Sequence, residues 1–315
     1  MSSTRVLARA LPAALTALLV AGGTPVRVAA QPAATGNAPY PARCGAYVSG
    51  SDVGRFVPLP RGDLWCPLIA DPKAIRSFVS YQRGDAADFA RNVAAVGIAD
   101  QFAFFRIAGA RAGDGIQLGV SAAVFAQFDL DAPSFDLLNA DYLIGIPITW
   151  RRGGFSGRAR VYHQSSHLGD ELLLRPDRPE RENLSFESAE LLLSQDVGPL
   201  RVYGGGEYFF NRTPADLADR LAHAGAEYRS RGGARVGSIG SARLVAAVDV
   251  KVVDNSTWRT GVSARAGVEV GRAREGAVPG RRWQLLGEFY DGPSPYGQFV
   301  RSTIRLVGVG FHFTL

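Results

Sequence analysis

The stretch "DYLIGIPITWRR" (residues 141–152) limits the possible folds more than any other part of the chain. Tyr142, Ile144, Ile146, Ile148 and Trp150 occupy alternate positions. A β-strand turns alternate side chains to one face, so these five form an apolar stripe with an aromatic ring at each end. Strands of soluble proteins are mostly about half this length. A strand that crosses a bilayer needs roughly 9–11 residues, apolar outward, with aromatic residues at the two interfaces.

The pattern recurs along the chain. From residue 75 onward, twelve segments read as strands: 75–83, 91–108, 115–128, 140–151, 154–165, 183–195, 199–210, 221–230, 241–252, 257–270, 281–290 and 300–315. The second is long enough to be one strand or a kinked hairpin. An even number suits a bacterial barrel. The expected fold is all-β: a transmembrane, antiparallel, up-and-down outer-membrane β-barrel of about twelve strands.

The connections agree. With the first strand running upward, "RRGG" (151–154) and "DVGP" (196–199) are short periplasmic turns, and 166–182 and 211–220 are longer extracellular loops. The faces opposite the apolar stripes carry Arg158, Arg160, Glu190, Arg201, Glu207, Glu227, Arg243, Asp249, Arg259, Arg265, Glu269 and Glu288. Charges of both signs in one narrow lumen must pair, because an isolated buried charge is too costly. The expected lumen is therefore filled, and these charges are structural.

Both ends of the chain fit export. Arg5 and Arg9 precede an apolar run over residues 10–23, and Val28, Ala29 and Ala30 offer a cleavage site before Gln31. Residues 1–30 hold three arginines and no acid, so their removal lowers the formal charge from +6 to +3. That surplus does not point to nucleic acid as a partner. Residues 31–74 contain seven of the 18 prolines and read as an irregular periplasmic segment, free or tucked under or into the main body, before a barrel at 75–315. Cys44 and Cys66, the two cysteines, are expected to form one disulfide in an oxidising compartment. The terminal strand "LVGVGFHFTL" resembles the signal by which outer-membrane barrels engage the barrel assembly machinery, with Leu315 where Phe is usual.

Parity then places a second group of residues. In "GFSGRARVYHQS" (154–165), Arg158 and Arg160 face the lumen, which turns His163 and Ser165 outward at the upper end. In "ENLSFESAELLLSQ" (182–195) the face of Leu191 and Leu193 also carries Glu187. Polar groups on a lipid-facing wall are costly and therefore informative, unless they lie among headgroups. A serine is a weak nucleophile until a neighbouring base takes its proton. His163 is that candidate base for Ser165, and Glu187 is the candidate carboxylate that orients the ring.

His-x-Ser on an outward strand face, with an acidic residue on the next strand, resembles outer-membrane phospholipase A and the lipid A deacylases. That resemblance implies cleavage of acyl esters in the outer leaflet, of phospholipid or of lipopolysaccharide. More broadly, "PLIADP" (67–72), "FAQFDLDAPSFDLLNADY" (125–142) and "RVYHQSSHLGDE" (160–171) resemble signature blocks of the bacterial domain-of-unknown-function 1207 family. That family implies no established activity. Two function classes stay open: a lipid acyl-ester hydrolase, and a non-enzymatic barrel with a structural, transport or surface-binding role.

No cofactor is expected. Asp129, Asp131, Asp136 and Asp141 could bind Ca²⁺, and His167, Asp170 and Glu171 could form a metal cluster or a second base, but turns and polar loops account for both groups more simply. Gly204–Gly206 read as strand glycines where the wall bends. His223 and His312 read as lumen or interface residues.

Overall fold

The computed structural model describes residues 52–86, 90–111, 113–176, 180–231, 233–237, 240–254, 259–271 and 282–313. The expected signal peptide and Cys44 lie outside the described residues. The strands are β1 (Phe56–Pro58), β2 (Ser77–Ala86), β3 (Ala90–Ala108), β4 (Gly115–Asp129), β5 (Leu137–Arg152), β6 (Phe155–Leu168), β7 (Leu184–Val197), β8 (Leu200–Thr213), β9 (Arg220–Arg229), β10 (Ala234–Val236), β11 (Gly240–Val253), β12 (Arg259–Gly271), β13 (Arg282–Pro293) and β14 (Thr303–Phe313). Twelve of them form the wall. Each pairs antiparallel with its neighbours in sequence, and β14 pairs with β2 to close the ring. The two three-residue strands are additions at its edge: β1 on β3 and β10 on β11. The segment 91–108 lies in one 19-residue strand, β3, and is not a hairpin.

The wall has the two faces that its period of two requires. Ile98, Ile144, Ile146, Val161, Leu244, Leu285 and Val307 are each more than half exposed and point outward. No helix is long and apolar enough to cross a membrane. In water this belt would be a severe aggregation hazard; in hydrocarbon it is the required surface. Tyr81, Tyr142 and Tyr208 mark its upper edge, and Phe155, Tyr228, Trp283 and Phe311 its lower edge.

Inside, charge meets charge. Glu190 holds Arg158 at 2.6 Å and Arg160 at 2.8 Å. Glu288 holds Arg265 at 3.1 Å and His312 at 2.7 Å. His223 bonds Asp249 at 2.6 Å. Glu269 gathers Arg243, Arg229 and Arg282. Pairing at these distances makes burial of so many charges tolerable.

Of the segment expected as irregular chain, the described part is the one that tucks into the main body. Residues 59–76 run up into the lumen and return, filling its lower half as a strap. Leu64, Leu68, Ile69 and Ala70 are at most 1% exposed. A strap in a dry lumen has backbone groups that need partners, and the wall supplies them. Arg151 donates to Leu64 O at 3.0 Å, Arg201 to Cys66 O at 3.0 Å and Arg265 to Ile69 O at 2.9 Å. Ile69 N–H donates to Glu227 at 2.7 Å. The guanidinium groups of Arg158 and Arg201 lie over Trp65, 5.3 and 4.6 Å from its ring centroid. Asp71 and Lys73 fasten the apex, to Lys251 at 2.7 Å and Asp141 at 2.5 Å. The block "PLIADP" is thus the strap itself.

Cys66 is 2% exposed at the foot of this strap. A Cys44–Cys66 disulfide would close a loop of about twenty residues and stabilise it by about 3 kcal/mol. Thiol labelling of the unfolded, unreduced mature chain is expected to find no free thiol; two labelled cysteines would refute the pairing.

The last strand starts later than expected. Residues 294–302, with one turn of 3₁₀ helix at Gly297–Phe299, fold into the barrel mouth before β14 begins. Gly297 N–H donates to Asp141, and a Cβ at Gly297 would sit 2.6 Å from that of Ser166. Only glycine allows this approach. Gly205 in β8 is required for the same reason, since a Cβ there would lie 1.9 Å from Leu191 O.

A closed barrel of this kind resists detergent until heated. The refolded mature chain is expected to migrate faster on a gel before boiling than after. Identical mobility would contradict a closed wall.

Candidate active site

β6 and β7 carry the candidate residues, and their register brings them level. His163 pairs with Glu187, and Ser165 with Ser185. All four point outward, on the face of Val161 and Leu191. On the other side of β6, Ile144 flanks His163 and Tyr142 flanks Ser165.

His163 Nδ1 and Glu187 Oε1 are 3.1 Å apart, with side chains 43% and 32% exposed. A carboxylate at Nδ1 selects the tautomer that keeps the proton there. Nε2 is then the acceptor. Ser165 lies one step up the same strand edge, where alternate residues are about 6.8 Å apart at Cα. Its Oγ makes no hydrogen bond among the described residues. The arrangement can therefore supply a base-activated nucleophile on the outside of the wall.

The backing of the site is rigid. Ser166 faces inward and donates to Asn139 at 3.0 Å. Where the β6–β7 ladder ends at Ser166 and Leu184, Gln298 takes over. Its amide donates to Ser166 O at 2.9 Å and Glu182 O at 2.8 Å, joining the two strand tops. On the far side, β7 meets β8 across a bulge between Ser185 and Glu187, with Asn211 at φ 49°. Bulges re-aim side chains, and Asn tolerates this left-handed backbone. Tyr142 packs edge-on against His167 at 5.5 Å, so His167 belongs to the aromatic upper edge and not to the Ser165 pair.

The acidic residues weighed for Ca²⁺ are taken up by the protein. Arg175 donates to Asp129 at 2.9 Å and to Asp136 at 2.6 Å, occupying the place a cation would fill. Asp131 accepts the N–H groups of Arg91 and Asn92, each at 3.0 Å, and the Asn92 amide at 2.6 Å. These bonds to Asn92 hold its carboxyl below the ordinary range. The Ser134 hydroxyl and Arg175 do the same for Asp136. Asp141 binds the strap lysine. Asp170 lies apart, in the single helical turn α1 (Asp170–Leu173). Among the described residues no three His, Cys, Asp or Glu side chains converge as metal ligands do. Sequence reasoning missed Arg175, which lies 39 residues from Asp136 with no local pattern to announce it.

Solved structures share this architecture. Outer membrane phospholipase A from Escherichia coli aligns with a TM-score of 0.52 and 14% identity, over 76% of this chain and 90% of that one. The outer membrane phospholipase of Salmonella typhi, a dimer with bound calcium, aligns with a TM-score of 0.51 and 14% identity, over 78% and 94% of the two chains. At such identity the likeness is one of fold. It defines the class: a twelve-strand barrel of the outer-membrane phospholipase architecture. No curated protein sequence matches the chain. The chain belongs to the family described as "Protein of unknown function (DUF1207)", whose profile matches residues 23–315.

Proposed function

We propose that this barrel resides in the bacterial outer membrane and hydrolyses acyl esters of outer-leaflet lipids. One observation carries the reading: the His163–Glu187 hydrogen bond lies on the membrane-facing wall, with Ser165 on the same strand edge. A buried structural pair would face the lumen, as Arg158–Glu190, Arg265–Glu288 and His223–Asp249 do. The fold it shares with outer membrane phospholipase A supports the same reading.

Tyr142 marks the headgroup level, and Ile144 and Ile146 mark the acyl region below it. Ser165 and His163 lie at that boundary, where the ester carbonyl of a lipid sits. Ser165 Oγ attacks the carbonyl carbon as its proton passes to His163 Nε2. Glu187 stabilises the imidazolium. The tetrahedral intermediate collapses, breaking the bond to the lipid alkoxide, which leaves with the proton from His163. Water, deprotonated by His163, then cleaves the acyl-serine, releasing fatty acid and restoring Ser165. The partners are outer-membrane lipids, phospholipid or lipopolysaccharide, and the barrel assembly machinery during biogenesis.

The test is fatty-acid release from phosphatidylethanolamine and from lipid A in mixed micelles. Refolded protein, shown to be folded by heat-modifiable migration, is expected to release fatty acid from one of them. Release from neither would leave the non-enzymatic reading.

A further inference from the structure

The upper half of the lumen, above the strap, holds a cavity of about 640 Å³ open to the upper rim. This lies within the size range of small-ligand sites, roughly 300–1,000 Å³. The cavity is on the opposite side of the wall from Ser165 and plays no part in the chemistry proposed there.

One side of it is aromatic. Tyr162 and Phe186 meet edge-on at 6.2 Å, and Phe186 and Phe209 at 4.9 Å. The floor is charged, and three carboxylates reach it. Asp71 is paired with Lys251 at 2.7 Å. Glu190 is paired with Arg158 and Arg160. Glu207 has no cationic partner within ion-pair distance among the described residues. It accepts the Tyr162 hydroxyl, and the Ser188 hydroxyl at 3.1 Å, both on Oε2. Its Oε1 accepts no hydrogen bond among the described residues, and the residue lines the cavity.

Glu207 is half-buried in the cavity wall, where a carboxylate gains from compensating charge. Each cation near it forms its ion pair with another carboxylate, and Arg160 keeps Nε and Nη1 without a hydrogen-bond partner among the described residues. Arg160 serves Glu190 and lies 4.4 Å above the Tyr162 ring; Lys251 serves Asp71. The Glu207 charge therefore has capacity for one more cation. The rings of Phe186 and Phe209 beside it offer negative π faces, which favour a cation that carries apolar substituents. The mouth is balanced, with Arg212, Arg259 and Arg301 against Asp216, Asp219 and Asp254. It imposes no net repulsion on an entering cation.

We propose that this vestibule binds a small organic ammonium ion, held by Glu207 Oε1 and seated against Phe186 and Phe209. A metal ion does not fit the aromatic side, and an anion does not fit Glu207.

The experiment is calorimetric titration of the refolded protein in maltoside micelles and amine-free phosphate buffer. Tetramethylammonium and propylammonium chlorides are compared with their uncharged counterparts, tert-butanol and 1-propanol. At least one cation is expected to bind saturably, ten-fold or more tightly than its neutral counterpart. Glu207→Gln is expected to weaken that cation at least ten-fold, and Phe209→Leu several-fold, with both variants still heat-modifiable. If Glu207→Gln fails to fold, Phe209→Leu and the neutral counterparts decide. The proposal is overturned if neither cation binds better than its counterpart, or if folded Glu207→Gln protein binds the cation as tightly as wild type.

Discussion

Ser165→Ala is expected to reduce acyl-ester hydrolysis by roughly 10⁴-fold or more, to assay background, because it removes the hydroxyl proposed to form the acyl intermediate. His163→Ala should cost about as much, and the double variant no more than either, since members of one catalytic unit are not additive. Glu187→Gln is expected to lose less, because it keeps an oxygen near Nδ1 while giving up the charge that stabilises the imidazolium. All three side chains are on the outer wall, outside the network that fills the lumen. Their loss should leave the barrel's heat-modifiable migration unchanged. A variant that loses activity together with its folded mobility would say nothing for catalysis.

The second large effect belongs to stability. Glu227→Ala is expected to destabilise the barrel by about 3–5 kcal/mol, the cost of leaving buried cations without their partner. Glu227 faces Arg229 at 2.8 Å and Arg201 at 3.5 Å, and it also accepts the strap's Ile69 N–H at 2.7 Å. Removing it leaves Arg201 without its ion-pair partner, leaves Arg229 only the longer contact to Glu269 and loosens the strap in one step. The control is Glu187→Ala, whose half-exposed pair with His163 should contribute about 1 kcal/mol or less. Denaturant unfolding in micelles compares the two. Equal midpoints for Glu227→Ala and wild type would mean that the strap is not anchored there.

The wall was legible because its rule is local. A period of two, with Arg158 and Arg160 on one parity, forces His163 and Ser165 to the other, and the strand segments read from residue 75 onward follow the same rule. The strap was not legible, because nothing near Ile69 indicates Glu227, 158 residues away. Its seven-proline surroundings suggested irregular chain tucked under or into the body, but none of its contacts. The late start of β14 was hidden likewise, since Gly297 is drawn inward by Asp141, 156 residues before it. The Asp129–Asp136 cluster showed acids and a turn, but not the Arg175 that occupies them. Glu207 was visible as one lumen charge among many. What sets it apart is the want of an ion-pair partner, which only the assembled network reveals.

The account rests on Ser165 being a nucleophile activated by His163, and covalent trapping tests this most directly. Folded protein in micelles is treated with a long-chain alkylsulfonyl fluoride, and the modified peptide is identified by mass spectrometry. The account predicts one sulfonyl adduct, on Ser165, with loss of fluoride, and its disappearance in His163→Ala protein that still shows folded mobility. Folded wild-type protein that stays unmodified, an adduct on another residue, or equal labelling without His163 would contradict it.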